Sequence, residues 1–148
     1  MIVMFCGHKE ISEPDKLRRW LEETVDELIQ RGADTFYLGG YGAFDRLAAN
    51  VVWSKKRLYP SVQSILVLPY LDRAADATGY DGTIYPPLEN VPRRFAISRR
   101  NEWMVNNSDI VVAYVIHAWG GAATTFRYAK KKNKEIIGFE LVSERTTG

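Results

Sequence analysis

Apolar residues in this chain fall either into short continuous runs or into longer stripes with helical spacing. A short run that is apolar on both faces is typical of a strand in a sheet covered on both sides. Five such runs predict strands at residues 1–6, 35–38, 61–70 (where Pro69 stops the run), 110–116 and 134–141.

Stripes of helical spacing lie between these runs and predict the helices. The first helix begins near Pro14 and is ended by Gly32, because proline suits the first helical turn and glycine the position after the last. Its apolar face consists of Leu17, Trp20, Leu21, Val25, Leu28 and Ile29. A second stripe consists of Phe44, Leu47, Ala48, Val51 and Val52. Further helices are predicted within residues 93–107 and after the pair Gly120 and Gly121.

Strands that alternate with helices predict βαβ units and therefore a parallel sheet. We expect one α/β domain over residues 1–148, a Rossmann-like doubly wound sheet of five or more strands with helices on both faces. Residues 71–92, rich in glycine and proline, predict an irregular segment packed against this domain. With the usual strand order 3-2-1-4-5, the first and fourth strands flank the ligand crevice.

Composition narrows the class of protein. The chain has 148 residues, 46% of them hydrophobic, and 20 basic residues against 18 acidic ones. This balance argues against a disordered chain and against binding to nucleic acid by charge alone. The first apolar run is too short for a signal peptide or a membrane span, and the single cysteine, Cys6, cannot form an internal disulfide. We expect a cytoplasmic protein without membrane association.

Candidate ligand contacts cluster at three predicted strand ends, in CGHKE, LGGYGAFD and HAWGGAATT. Glycine lets the backbone approach a ligand closely, and the N-terminus of the following helix attracts anions. The contacts predicted in these loops are Gly7, His8, Lys9, Gly39, Gly40, Tyr41, Gly42, Asp45, His117, Trp119, Gly120, Gly121, Ala122, Ala123, Thr124 and Thr125. Tyr70, after the third strand, joins Tyr41 and Trp119 as an aromatic that could stack on a base.

Each of these residues also has a purely structural interpretation. Thr124 could cap its helix, and Asp45 could be an acid favoured at a helix start. His8 could make a structural hydrogen bond, and the aromatics could belong to the core. Neither a G-x-G-x-x-G nor a Walker motif is present, and two histidines with one cysteine predict no metal site. Cys6 is expected to pack as a small buried residue.

Four blocks of the sequence together resemble the SLOG superfamily, in particular its small single-domain members. They are FCGHKE, FYLGGYGAFDRLAA, RFAISRRNEWMVNNSDIVVAYV and HAWGGAATT. This superfamily includes LOG-type phosphoribohydrolases, the DNA-processing protein DprA and sensors of NAD-derived nucleotides in antiphage defence. The resemblance implies a Rossmann-like fold, a nucleotide-derived ligand and a homodimer or higher homo-oligomer.

The LOG enzymes provide the comparison that separates binding from cleavage. Their R-K-x-x-M motif is similar to RNEWM here, which assigns Arg100 to a phosphate- or ribose-binding position. Their P-G-G-x-G-T-x-x-E motif aligns with residues 119–127, and the catalytic glutamate falls on Arg127. An arginine cannot act as the carboxylate that N-glycoside cleavage requires.

The sequence therefore predicts a module that binds a nucleotide or an ADP-ribose-derived molecule, with no catalytic residue and no cofactor. Phosphate is expected on the helix after Gly121, the sugar near Asp45 and His8, and a neutralising charge from Arg100. Sensing or sequestering an immune signal is a finer possibility that the resemblance suggests. Two alternatives stay open: a LOG-type phosphoribohydrolase that uses Asp45, and single-stranded DNA binding.

Overall fold

The computed structural model describes residues 1–139, with the backbone alone at 74–76. The chain alternates strands and helices, and a 3-10 helix at Leu71–Ala77 precedes β4. The strands are β1 (Ile2–Gly7), β2 (Thr35–Leu38), β3 (Gln63–Val67), β4 (Gly82–Ile84), β5 (Ile110–Tyr114) and β6 (Glu135–Phe139). The helices are α1 (Pro14–Gln30), α2 (Gly42–Lys55), α3 (Arg93–Asn106) and α4 (Gly121–Lys131).

The six strands form one parallel sheet in the order β4-β3-β2-β1-β5-β6. The predicted α/β class and winding are confirmed, with β4 as an additional strand at the edge. The direction of winding reverses between β1 and β5, where Cys6 is paired with Ala113. A ligand crevice is expected at the carboxyl ends of these two strands.

Helices cover both faces of the sheet, as the two-sided apolar runs require. Along β1, Val3 and Phe5 belong to the core that α1 and α2 cover. Met4 and Cys6 point to the other face, where α3 and α4 pack. Successive residues of a strand point to opposite faces, so a continuous apolar run fits a central strand.

The predicted apolar stripe of α1 packs as expected. Leu17, Leu21, Val25 and Leu28 are completely buried, while Trp20 and Ile29 are half-buried against the same core. The helix ends at Gln30, and Gly32 then takes a positive φ of 110° that favours glycine.

The segment 71–92 is more ordered than the sequence predicts, since it contains the 3-10 helix and β4. Asp81 holds β4 in place: its carboxylate accepts hydrogen bonds from the amide of Ser64 (2.8 Å) and its hydroxyl (3.3 Å). Lys56 forms an ion pair with the same carboxylate. These contacts cross between distant parts of the chain, which explains why a local pattern does not reveal the strand.

Several strand bounds differ from the predicted ones: β1 is shifted by one residue, β3 covers only Gln63–Val67 of the predicted 61–70, and β5 ends earlier than predicted. β5 ends at Tyr114 and not at Ile116, because the amide of Ile116 donates instead to the side chain of His8 (2.9 Å). Of the last predicted strand, 134–141, the final two residues lie outside the described part of the chain.

Candidate functional site

A cavity of about 500 Å³ opens at the carboxyl ends of β1 and β5, where the direction of winding reverses. Its walls come from β1 and the segment after it, the start of α2, one face of α3, the loop after β5 and the beginning of α4. Size and location are those of a small-molecule site in a parallel α/β sheet. Of the predicted contacts it is lined by Gly7, His8, Lys9, Tyr41, Asp45, Arg100, His117, Gly120, Gly121, Ala122 and Thr125.

The other predicted contacts do not line this cavity. Gly39 and Gly40 line a separate pocket of about 40 Å³. Tyr70 packs against Arg93, whose guanidinium carbon lies 3.8 Å from the centre of the tyrosine ring. The remaining predicted contacts that do not line the cavity are Gly42, Trp119, Ala123 and Thr124.

Two glycines near the first strand end make room for the protein's own atoms. A Cβ at Gly7 would lie 2.2 Å from Cδ2 of Phe44, which is completely buried. A Cβ at Gly42 would lie 2.6 Å from Cα of Lys9, and its φ of 85° also favours glycine. Internal packing therefore explains both glycines without a ligand.

The loop after β2 is likewise occupied by the protein itself. The amides of Gly39 and Gly40 both donate hydrogen bonds to Oδ2 of Asp45, each with a length of 3.0 Å. A carboxylate that accepts hydrogen bonds from two amides occupies the position that a ligand's phosphate would take. The sequence predicts three glycine loops that are open to a ligand at this edge of the sheet, but the loop after β2 is not open. Its two amides bind Asp45 and are not available to an anion.

The third loop, by contrast, faces open space. Within the described part of the chain, no atom lies within 4 Å of an ideal Cβ at Gly120 or Gly121, apart from their chain neighbours and, for Gly121, the backbone of its own helix. No side chain caps α4, which begins at Gly121 directly after a residue with φ of 93°. The amides of the first turn have no helical partner, and the positive end of the helix dipole adds to them. This helix end can bind an anion.

Polar side chains around the start of α4 are directed at the helix itself. The hydroxyl of Thr124 donates to the carbonyl of Gly120 (3.2 Å), and that of Thr125 to Gly121 (2.9 Å). Arg127 donates to the carbonyl of Ala118 (3.0 Å), so its positive charge lies beside the loop. The groups that α4 offers to an anion are therefore amides and a nearby guanidinium, with the threonine hydroxyls already engaged as donors.

Arg100 forms part of the cavity wall and is only 2% exposed. Its Nη1 donates to the carbonyl of Gly39 (3.0 Å) and to that of Val67 (2.8 Å), which joins the ends of β2 and β3. Burial lowers the pKa of this guanidinium, and the charge of Asp45 opposes the shift. The residue predicted to neutralise a ligand thus has a structural role as well.

Asp45 is the acidic group deepest in the site, 7% exposed. Burial raises its pKa to about 6, against the opposing effects of Arg100 and of the amides at Gly39 and Gly40. Asp45 lies in the first turn of α2, as its structural interpretation predicts, and it also lines the cavity. Its contact with a ligand stays a prediction.

His8 is buried at the end of β1 and makes the structural hydrogen bond considered above. Its Nε2 accepts from the amide of Ile116, and its ring stacks on that of His117 at 3.7 Å between centroids. Burial, and next the neighbouring His117, lower the pKa of His8 to about 4. The imidazole is therefore neutral at physiological pH.

Acidification is expected to destabilise the protein through His8. The unfolded imidazole binds a proton near pH 6.5 and the folded one near pH 4. The stability contributed by neutral His8 is complete above pH 6.5 and falls towards pH 4, by at most about 1.4 kcal/mol per pH unit. Urea denaturation at several pH values should show that, as the pH falls from 6.5 to 4, the free energy of unfolding decreases less in the His8→Gln variant than in the wild type.

Glutamine suits this comparison, because its amide oxygen can accept the hydrogen bond from Ile116. Asp45 acts in the opposite direction, since a raised carboxyl pKa adds stability as the pH falls from about 6 towards its unfolded value. Both proteins carry Asp45, so its effect cancels in their difference. If the difference in free energy of unfolding between the wild type and His8→Gln does not change with pH, the lowered pKa assigned to His8 is wrong.

Two buried polar atoms on the cavity walls have no hydrogen-bond partner among the described residues. They are the hydroxyl of Tyr41 and Nδ1 of His117. Folded proteins leave few such atoms unpaired, and each one calls for an explanation.

The structure adds wall residues that the sequence analysis did not select. Ile97, Asn101 and Met104 share one face of α3, and their helical spacing is a signal that could have identified them. The remaining ones are Met4, Phe5, Cys6 and Glu10. Cys6 is buried as expected, its thiol donates to the carbonyl of Ala122 (3.2 Å), and burial raises its pKa.

The described residues contain no cluster of metal ligands and no helix suited to a membrane. No three or more histidine, cysteine, aspartate or glutamate side chains there are grouped so as to hold a metal ion. None of the helices in residues 1–139 combines the length and the apolar character needed to cross a membrane.

Solved structures with the same fold exist at low sequence identity. DNA processing protein A (DprA) from Helicobacter pylori, described as binding single-stranded DNA, has a TM-score of 0.64 and 17% identity over 93% of this chain and 64% of that one. DprA from Streptococcus pneumoniae has a TM-score of 0.64 and 16% identity over 92% and 49%. The molybdenum cofactor carrier protein of Chlamydomonas reinhardtii has a TM-score of 0.62 and 17% identity over 99% and 80%.

These likenesses confirm the fold implied by the SLOG resemblance, since all three proteins have folds of that type. The chain spans less than two thirds of the length of either DprA protein. No family model matches the sequence, and no curated protein matches it at a significant level.

Proposed function

We propose that the protein binds a nucleotide or an ADP-ribose-derived small molecule in the cavity at the carboxyl ends of β1 and β5 and does not cleave it. The observation that carries the proposal is the start of α4, where Gly120 and Gly121 face open space beside the cavity and no side chain caps the helix. A phosphate group suits this position because it accepts hydrogen bonds from several amides at once.

Other features of the cavity support a ligand that carries both phosphate and sugar. Lys9 and Arg100 contribute positive charge to its walls. His8 and Asp45 lie on the same walls and suit the hydroxyl groups of a ribose. The hydroxyl of Tyr41, another wall residue, is buried and has no hydrogen-bond partner among the described residues.

Binding without cleavage follows from the residue at the position of the LOG glutamate. Arg127 stands there, and its guanidinium donates to the carbonyl of Ala118 beside the start of α4. A guanidinium cannot take up a proton or stabilise a developing oxocarbenium ion.

A phosphoribohydrolase is the second candidate, and one observation favours it. Asp45 lines the cavity with a pKa raised to about 6, which suits a general acid or base near neutral pH. The two amides on its Oδ2 count against this role, because they hold the carboxylate in place and use one of its oxygens.

Calorimetric titration with AMP, ADP-ribose and cyclic ADP-ribose isomers tests the proposal. We expect heat of binding from at least one of them and, by chromatography after long incubation, an intact nucleotide. Release of free base, abolished in Asp45→Ala, would instead establish the hydrolase. Absence of heat and of thermal stabilisation with every compound would refute nucleotide binding.

The Ala122→Asp variant is expected to lose at least about tenfold in affinity for the nucleotide that binds. Its carboxylate would occupy the first turn of α4 and repel phosphate, while interacting favourably with the helix dipole. Ala122 is half-buried and packs against the core, so thermal melting is used to show that both the variant and its control are folded. Ala122→Asn is the matched control of equal size without the charge. Equal losses in both variants would indicate steric obstruction and would not support an anion site.

Finer parts of the proposal rest on the sequence resemblance. They are the sensing or sequestering of an NAD-derived immune signal and a homodimer or higher homo-oligomer. A cytoplasmic location is proposed on a different ground, the single cysteine, which suits a reducing compartment. Single-stranded DNA binding, described for the H. pylori neighbour, is a weaker candidate because basic residues exceed acidic ones by only two, 20 against 18. A gel-shift titration at low salt distinguishes it, since DNA binding would weaken steeply as salt is added.

A further inference from the structure

Three aromatic rings form a stacked column beside the start of α4. The rings of His8 and His117 lie 3.7 Å apart between centroids at 15°, and those of His117 and Trp119 lie 3.9 Å apart at 16°. The column extends from a buried residue at the end of β1 to an indole that is 69% exposed. One face of Trp119 is covered by His117, so its exposure belongs to the opposite face and the edges.

The column is fixed at its inner end. His8 is held by the hydrogen bond from the amide of Ile116, and its ring also meets Tyr114 edge to face at 5.8 Å between centroids. A ring supported in this way loses little conformational freedom when a further ring is placed on it, which favours binding.

The other aromatic candidates for stacking already have cationic partners. The guanidinium carbon of Arg93 lies 3.8 Å from the ring centre of Tyr70. Tyr41 has the guanidinium carbons of Arg73 and Arg100 at 5.1 and 5.8 Å from its ring centre.

Trp119 immediately precedes Gly120, the residue before the uncapped end of α4. We propose that the exposed face of Trp119 is the stacking surface for the base of a nucleotide whose phosphate binds at the start of α4. The base then lies at the rim of the cavity and not in its interior, because Trp119 is absent from the cavity wall. This assignment rests on the proposed function and adds the group that distinguishes a nucleotide from a sugar phosphate.

Stacking on an aromatic side chain is tolerant of base identity, since every base has a π face. The site is therefore expected to require a planar heteroaromatic ring without selecting strongly among purines and pyrimidines. Selectivity between bases would have to come from polar contacts, which the exposed face of an indole does not supply.

The test measures the affinity of AMP and of ribose 5-phosphate for the wild type and three variants. Trp119→Ala should weaken AMP binding at least about tenfold and change ribose 5-phosphate binding by less than about twofold. Trp119→Phe keeps an aromatic face and should restore AMP affinity to within about threefold of the wild type. Trp53→Phe replaces another exposed tryptophan, 57% exposed and not part of the cavity wall, and should change neither affinity.

Fluorescence gives a second readout. AMP should quench the tryptophan emission of the wild type and of Trp53→Phe, and ribose 5-phosphate should quench much less. The quenching should disappear in Trp119→Ala.

Distinct outcomes separate this inference from the proposed function. If AMP binds the wild type and Trp119→Ala equally, the proposed function stands and the stacking assignment is overturned. An equal loss of AMP and ribose 5-phosphate would also overturn it, because the damage then lies at the helix end. If none of ribose 5-phosphate, AMP, ADP-ribose and the cyclic ADP-ribose isomers binds the wild type, the proposed function fails and the inference fails with it. Binding of a thymidine oligomer that depends on Trp119, without binding of AMP, would assign the indole to single-stranded DNA instead.

Discussion

Replacing Arg100 by methionine is expected to lower the free energy of unfolding by about 3–5 kcal/mol. The guanidinium is buried and donates to the carbonyls of Gly39 and Val67, so its removal leaves both without that donor. It also leaves the buried carboxylate of Asp45 without the positive charge of Arg100, which favours the ionised form of that carboxylate in the wild type. Urea denaturation followed by circular dichroism measures the loss.

Arg99 provides the matched control, because it is the adjacent residue on α3 and is exposed. Arg99→Met should change the free energy of unfolding by no more than about 0.5 kcal/mol. Adding Asp45→Asn to Arg100→Met should recover part of the lost stability, since the unpaired charge is removed. If Arg100→Met proves as stable as Arg99→Met, the structural role of Arg100 is wrong.

Replacing Gly7 by alanine is expected to cost about 3 kcal/mol or more, the upper end for overpacking a core. The new Cβ would lie 2.2 Å from Cδ2 and 2.3 Å from Cγ of Phe44. That ring cannot move aside easily, because it is completely buried and packs against the rings of Phe5 and Tyr114. In a domain of this size, the melting temperature should fall by about 2–4 °C for each kcal/mol lost.

The contrasting substitution is Gly121→Ala at the start of α4, where an added Cβ meets no described atom within 4 Å apart from its chain neighbours and the backbone of its own helix. Its stability should stay within about 0.5 kcal/mol of the wild type or improve slightly, since alanine favours a helix. Equal losses in Gly7→Ala and Gly121→Ala would contradict the distinction between a packed glycine and an open one.

The sheet could be predicted from the sequence because its central strands are apolar on both faces. Val3 and Phe5 of β1 enter one core while Met4 and Cys6 enter the other, so a continuous apolar run was the correct signal. β4 escaped prediction for the opposite reason. It is three residues long, none of them buried, and it is held by contacts of Asp81 with Ser64 and Lys56.

The candidate site was predictable in its position but only partly in its chemistry. Gly7 and Gly121 both occur near strand ends, yet one makes room for Phe44 and the other faces open space. Only the folded chain brings Phe44 to Gly7, so no local motif separates the two cases. The pairing of the Asp45 carboxylate with amides just before α2 is short-range in sequence, but it depends on the path of the loop after β2.

The central position of β1 has a consequence for how the chain folds. Its neighbours are β2 and β5, and the amide of Ile2 bonds to the carboxylate of Asp109, 107 positions later. During synthesis the middle of the sheet emerges first, yet one of its flanks stays unpaired until residues beyond 110 leave the ribosome. Pairings of such high contact order slow folding. A nascent chain that stalls before β5 would present a bare strand edge on which other chains can aggregate.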